Sequence, residues 1–501
     1  MAKKTVLLLP ALGAGHLTPS LEAAKRLLRH LNAGSAGADG EFSITVLLLQ
    51  ASAPDVAAAV EARVEESGVA AGAGNDNGIT VVRCLPPIDG PADAECLEDL
   101  VSRVFQLAAP RVRDAIDGSP VPVAAVVVDF LATAVLDVAA ERGVPAYVLF
   151  TSPAALLALM LHLPSIRDDQ PDGEPDHMAV PGMASPVPRA CFPAAAASKK
   201  GRGYEWYVYH GKRFSRAKGI IVNTAADVEP GVLAALSNST ATPPVYPVGP
   251  LVGPTAPPSG HAHPCIEWLD TQPPASVVFL CFGSLGCFDR PQTLEIAAGL
   301  ERSGSRFLWA LRVPPAAGRV HPSDADLGEA LPEGFLERTA GRGLVWPSWA
   351  PQRAVLSHPA VGGFVSHCGA ASCLETLWAG VPVVAWPLYS EQYFHAHWMA
   401  SEVGVAAAAL GGTGGPVAAA EVERAVRRLM DEDSEDGRRA RARAAEMKTA
   451  CRTAVGDGGS SDDALRRLCD CIRRMHSTRM PARSEVVKPV NVQNPRIGTN
   501  D

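Results

Sequence analysis

Short apolar runs alternate with helix-patterned stretches through this chain, and they do so in two blocks. In the first block the runs fall at residues 5–9, 43–49, 79–83, 123–128, 146–150 and 219–222, with helical periodicity over 17–31 and 97–116 between them. Several runs are continuously apolar rather than alternating, as expected of parallel strands covered by helices on both faces. The second block repeats the pattern. Its runs lie at 276–282, 306–311, 343–346, 362–366 and 382–386, and its helical patterns at 291–303, 372–379, 417–430 and 437–451. Such alternation predicts the α/β class with a parallel sheet in each half. A Pro- and Gly-rich stretch at 242–264 separates the blocks, and a final helix is predicted over 460–475. The expected organisation is an N-terminal domain 1–245, a linker 246–263, a C-terminal domain 264–455, a closing helical segment 456–478 and a polar, disordered tail 479–501. Residues 166–203 lack any period and read as a long surface loop, of the kind that walls a substrate site. The default ligand site is the cleft between the two sheets, at the carboxyl ends of their strands.

Composition narrows the function classes. The 501 residues carry a formal charge of −8, so no basic excess draws the chain to nucleic acid. Eleven cysteines, an odd and sparse number, argue against a disulfide scaffold and for reduced thiols in a cytoplasmic protein. The first fourteen residues imitate a signal peptide, but Pro10 and Gly13 break the apolar run, which reads better as a first strand. Residues 120–140 are apolar enough to suggest a membrane span. They contain Asp129 and Asp137, costly at membrane depth, and read as strand, loop and helix.

Three local patterns carry chemistry. Gly13-Ala14-Gly15-His16 follows the first run, but Thr18 stands where a dinucleotide fingerprint needs its third glycine. His16 on this loop faces the mouth of the cleft, unless it merely caps the helix or lies exposed. Asp129 ends the run 123–128, and it could hold the His16 tautomer if the two strands are neighbours. Its plainer reading is the N-cap of the next helix. Cys281-Phe282-Gly283-Ser284-Leu285-Gly286 mirrors the first loop, and its amides and hydroxyl suit a phosphate. His395-x-His397 and His261-x-His263 lack convergent partners at ligand spacing, so no metal is expected. Tyr204, Trp206, Tyr207 and Tyr209 read as helix packing, with one ring available to wall an acceptor site.

From Trp349 to Gln392 the chain reads WAPQRAVLSHPAVGGFVSHCGAASCLETLWAGVPVVAWPLYSEQ. This segment resembles the donor-binding signature of plant family 1 UDP-dependent glycosyltransferases. Trp268-Leu269-Asp270-Thr271-Gln272-Pro273, Phe282-Gly283-Ser284, His16, Asp129 and Gly458-Gly459-Ser460-Ser461 extend the resemblance over nearly the whole chain. It implies the GT-B arrangement of two Rossmann-like domains facing across a cleft. It implies inverting transfer of glucose from UDP-glucose to a hydroxyl of a small phenolic acceptor such as a flavonoid. A C-glycosyltransferase and a non-catalytic UDP- or aglycone-binding homologue are the alternatives. The UDP-sugar is a co-substrate, no cofactor is implied, and a monomer is expected.

The resemblance also assigns roles. His16 is the general base and Asp129 its orienting partner. Trp349 stacks uracil, Gln352 approaches the uridine, and Glu375 accepts the ribose hydroxyls, although Ser372-x-x-Glu375 also reads locally as a capping box. Ser284, His367 and Ser372 face the pyrophosphate, with Ala350, Gly369 and Ala371 in the same donor site. Glu391, where many members carry Asp, and Gln392 hold sugar hydroxyls. Gly15, Thr151, Ala370 and His395 are expected around the acceptor and the sugar. Three positions depart from the family: Ala370-Ala371 replaces Trp-Asn, and His395 stands where Asn is frequent.

Overall fold

The computed structural model describes residues 4–33, 41–69, 78–84, 87–88, 90–166, 176–197, 201–253, 263–411 and 415–477. The expected tail 479–501 lies outside them, as do half of the expected linker and parts of the loop 166–203.

Two parallel sheets are built on one plan. The N-terminal sheet comprises β1 (Lys4–Leu9), β2 (Phe42–Leu49), β3 (Ile79–Cys84), β4 (Val123–Asp129), β5 (Ala146–Phe150), β6 (Ile220–Val222) and β7 (Val245–Pro247). Its order is β3-β2-β1-β4-β5-β6-β7. The C-terminal sheet comprises β8 (Val277–Cys281), β9 (Arg306–Ala310), β10 (Gly343–Trp346), β11 (Val361–Ser366), β12 (Val383–Ala385) and β13 (Ala406–Ala409). Its order is β10-β9-β8-β11-β12-β13. In each half the order reverses beside the first strand, which opens a crevice at the carboxyl ends. The continuous apolar runs follow from burial on both faces. Leu7 and Leu9 enter one core with Val126 and Val128, while Val6 and Leu8 enter another with Val127. Val278 and Leu280 likewise part from Val277 and Phe279.

The expected linker begins inside a strand. Val245–Pro247 pairs in parallel with β6, Ile220 opposite Val245, at the sheet edge, where a proline without an N–H is tolerated. The described part of the loop 166–203 is more built than expected. It holds a two-stranded ribbon, His177–Met178 with Val187–Pro188, and buries Val180, Val187 and Phe192. The closing helix, Ser460–Ser477, packs on the N-terminal half. Ala464, Leu465, Leu468, Cys469 and Ile472 join its core, and His30 Nε2 lies 2.7 Å from Asp462 Oδ1. No helix among the described residues is long and apolar enough to cross a membrane.

Candidate active site

The register of β1 and β4 creates the first half of the site. Leu9 lies opposite Val128, so the turn after β1 and the end of β4 meet. The helix Ala14–Leu31 starts there and carries His16 in its first turn. His16 Nδ1 stands 2.8 Å from Asp129 Oδ2 and 3.3 Å from Thr151 Oγ1, and the ring stacks on Phe130 at 5.3 Å. Asp129 Oδ1 also accepts the Leu131 N–H at 3.0 Å, but the next helix, Val135–Glu141, begins after Ala134 with no side-chain cap, so Asp129 is not its N-cap and its other oxygen holds the histidine. Burial opposes the imidazolium at His16. The charge and hydrogen bond of Asp129, with the field of Glu391, outweigh it and leave the pKa above the ordinary 6.5. With Nδ1–H donated to Asp129, Nε2 is the basic nitrogen of the ring.

The C-terminal half repeats the geometry. Cys281 pairs with Ser366, which brings the loop after β8 against the turn after β11. The turn is tight: Cys368 has φ 60° and the helix Ala370–Ala379 follows, capped by the backbone of Gly369 with no side-chain bond. Among the described residues no side chain caps its first amides, and Gly369, Ala370, Ala371 and Ser372 lie in the cavity wall, a setting that suits an anion. The His367 ring crosses this turn so closely that a Cβ on Gly283 would lie 2.4 Å from its Nε2, and Gly283 is itself at φ 74°. Burial pushes the His367 pKa down to about 4, so the ring is neutral, and its buried Nδ1 has no partner among the described residues.

The helix starts two residues before the predicted boundary. Ser372 is therefore inside it, and no capping box with Glu375 forms. Gln352 Nε2 instead donates to Ser372 Oγ at 2.8 Å and to Glu375 Oε2 at 2.7 Å. Burial raises the Glu375 pKa, against the charges of Arg353 and Arg63 and the Gln352 bond. Gln392 Oε1 accepts the Leu388 and Tyr389 amides, fixing the loop that carries Glu391.

These pieces line one cavity of about 470 Å³ between the two sheets. Gly15, His16, Thr151, Ser284, Trp349, Ala350, Gln352, His367, Gly369, Ala370, Ala371, Ser372, Glu375, Glu391 and Gln392 are all in its wall. Asp129 sits behind His16, 1% exposed. His395 does not join the wall. The helix Gln392–His397 turns it inward, fully buried, and its Nε2 lies 2.9 Å from Ser152 Oγ of the other half. Sequence reasoning did not find Arg63, Glu98, Ser152 or Arg353, which also line the cavity. Glu98 accepts from Ser390 Oγ across the cleft at 2.7 Å. Tyr207 is the aromatic of its group that reaches the wall, beside Phe130, Leu131 and Leu156. Among the described residues no group of three or more His, Cys, Asp or Glu is placed to hold a metal.

Two Rossmann-like halves facing across a cleft, with an open helix terminus in the wall from one and a held histidine from the other, make the GT-B arrangement of glycosyltransferases. The family model "UDP-glucoronosyl and UDP-glucosyl transferase" matches residues 244–437. Malvidin galactosylase UGT88C3 of Oryza sativa subsp. japonica is 48% identical, over 95% of this chain and 98% of that protein. UDP-glycosyltransferase 71K2 of Pyrus communis is 37% identical, over 94% and 98%. Among solved structures, Phytolacca americana UGT2 complexed with UDP-2fluoro-glucose and pterostilbene superposes with a TM-score of 0.81 at 32% identity, covering 94% of this chain and 100% of that one. Medicago truncatula UGT71G1 complexed with UDP-glucose gives 0.79 at 34%, covering 94% and 98%. The chain belongs to the plant UDP-dependent glycosyltransferases: it transfers a glycosyl group from a UDP-sugar to a small acceptor and needs no cofactor.

The expected role of Trp349 as the uracil platform has a direct test. Base–aromatic stacking is worth about 1–3 kcal/mol by alanine substitution. Trp349→Ala is expected to raise the donor KM about tenfold or more while accepting the same acceptors. An unchanged donor KM in saturation kinetics makes Trp349 a packing residue only.

Proposed function

We propose that the enzyme transfers a hexose, with inversion, from its UDP derivative to a phenolic hydroxyl of a flavonoid-like acceptor. The observation that carries this reading is the 2.8 Å His16–Asp129 pair in the same cavity as Trp349, Glu375 and the open helix terminus. Phe130, Leu131, Leu156 and Tyr207 offer an apolar wall for a flat aglycone beside His16. His16 Nε2 takes the proton of the acceptor hydroxyl, and Asp129 stabilises the imidazolium that forms. The acceptor oxygen bonds to the anomeric carbon as its bond to the β-phosphate breaks. The developing charge on UDP is met by the first amides of the helix Ala370–Ala379, the neutral His367, Ser284 and Ser372. Glu391 and Gln392 are the groups for the sugar hydroxyls.

Glucose is the sugar implied by the signature. Galactose is the second reading, favoured by the 48% identity to a malvidin galactosylase and by the small Ala370 in the cavity wall. Purified enzyme offered UDP-glucose and UDP-galactose, each with malvidin, a flavonol and a simple phenol, tests both readings through UDP release and product stereochemistry. Acid-labile products are expected. Acid-stable products would mean attack through carbon, and no turnover with any pair would sink the acceptor class.

The held histidine sets a pH dependence. A base must be neutral, so kcat/KM rises as pH climbs through a His16 pKa that lies above 6.5. In Asp129→Asn the opposing burial remains while the raising charge is gone, so the acid limb is expected to move to lower pH. The plateau falls as well, because the tautomer is no longer held. An unmoved limb in a pH–rate profile removes Asp129 from the role of orienting partner.

A further inference from the structure

From the N-terminal half, Arg63, a residue that the donor signature does not contain, reaches the Trp349 side of the cavity. Arg63 sits in the last turn of the helix Pro54–Glu66, whose Val60 and Val64 are buried in the core. The start of this helix is tied to the other half: Asp55 Oδ2 accepts the Val320 and His321 amides, each at 2.8 Å. At the far end the Arg63 guanidinium lies over the Trp349 ring, 4.4 Å from its centre. Glu66 holds the guanidinium from the side as an ion pair. The Arg63 side chain is only 17% exposed, whereas Trp349 is 40% exposed. Arg63 also places positive charge near the Glu375 carboxylate. It thus lies against the aromatic platform and within electrostatic reach of the ribose-directed carboxylate.

We propose that Arg63 is a nucleotide-binding residue, which stacks on the outer face of uracil once the donor is bound and closes the base between itself and Trp349. The proposal rests on the reading of Trp349 as the uracil platform. Stacked rings need about 4.5–7 Å between centres, so a base entering on this face must lift the guanidinium from the indole. The guanidinium is planar and weakly hydrated, and it finds on uracil a flat partner of the kind it leaves. Its positive charge stays close to an anionic nucleotide. The helix itself need not move, because Val60, Val64 and the Asp55 bonds hold it and the flexible arginine stem takes up the displacement.

The test is titration of UDP and of uridine into the full-length enzyme, its Arg63→Ala and Arg63→Lys variants, and Trp349→Ala. Arg63→Ala is expected to weaken UDP about five- to tenfold and uridine by a similar factor. Arg63→Lys is expected to restore little, since an ammonium has no plane to stack. In kinetics the donor KM rises by the same factor, while the acceptor KM and the kcat at saturating donor stay within about twofold, which also reports an intact fold. Unchanged UDP affinity in Arg63→Ala overturns the clamp alone. Tighter UDP binding overturns it too, because Arg63 would then be a competitor of the base. A loss for UDP with none for uridine reduces the effect to charge and overturns the stacking. Intact UDP affinity in Trp349→Ala overturns the platform and, with it, the role of Arg63.

Discussion

His16→Ala is expected to lower the transfer rate by about 10²–10⁴-fold, the usual contribution of a positioned general base. UDP affinity is expected to hold, because the histidine stands in the N-terminal half and Trp349, Gln352 and Glu375 stand in the other. The loss therefore falls on kcat and kcat/KM together, the mark of an interaction made in the transition state. Asp129→Ala is expected to lose less, since the imidazole can still accept a proton in a less ordered pose held by Phe130 stacking and Thr151. A phenolic hydroxyl is acidic enough that part of the reaction survives without a base, and the residual rate of His16→Ala is expected to increase with pH. Rapid-quench kinetics with one good acceptor at saturating donor measure these changes. Wild-type rates in His16→Ala would remove general-base catalysis by this residue from the mechanism.

How far this site can be read in the sequence follows from which contacts are local. The ends of continuous apolar runs are legible, and parallel topology then brings the ends of β1 and β4 together. The His16–Asp129 pair was therefore within reach of sequence reasoning. Two strands of the main sheets were not. Ala406–Ala409 contains no β-branched residue and exists because Val383 of β12 offers Ala406 a parallel partner. Val245–Pro247 hides in a proline-rich stretch and is stabilised by β6. The capping-box pattern at Ser372 misled for a related reason, since the strained Cys368 turn starts the helix two residues early. Contacts between the halves are the least legible. Arg63 over Trp349, Glu98 with Ser390, and Ser152 with His395 depend on how two separately folded sheets face each other. His395 shows the limit well: residues 389–392 just before it are in the cavity wall, but a single turn of helix directs it into the core.

The pair Ala370-Ala371 is where this chain departs most from the family pattern, and restoring that pattern is expected to raise activity. Both residues are half-buried in the cavity wall at the start of the helix Ala370–Ala379. Neither side chain can donate a hydrogen bond. A bond to a charged group is worth about 1.5–3 kcal/mol net, so a missing amide there costs about one to two decades in donor binding or rate. The uncapped helix amides, His367 and Ser284 offset part of this, and water can fill the vacated space. Ala371→Asn is therefore expected to raise kcat/KM for UDP-glucose about tenfold, with the gain on the phosphate side. Ala370→Trp acts differently. It narrows the sugar end of the cavity, and its expected effect is on the ratio of UDP-glucose to UDP-galactose turnover rather than on either alone. The double variant should combine the two effects only in part, because adjacent residues in one pocket couple. Donor-saturation kinetics with both UDP-sugars, for the parent, the two singles and the double, separate these terms. If all four behave alike, the alanines are neutral and the phosphate contacts lie wholly in the helix amides and His367. If Ala370→Trp abolishes galactose transfer while sparing glucose, the small residue is what admits an axial hydroxyl. If the double loses activity with both sugars, the pocket is shaped around alanine for a different donor, and the glucose assignment falls first.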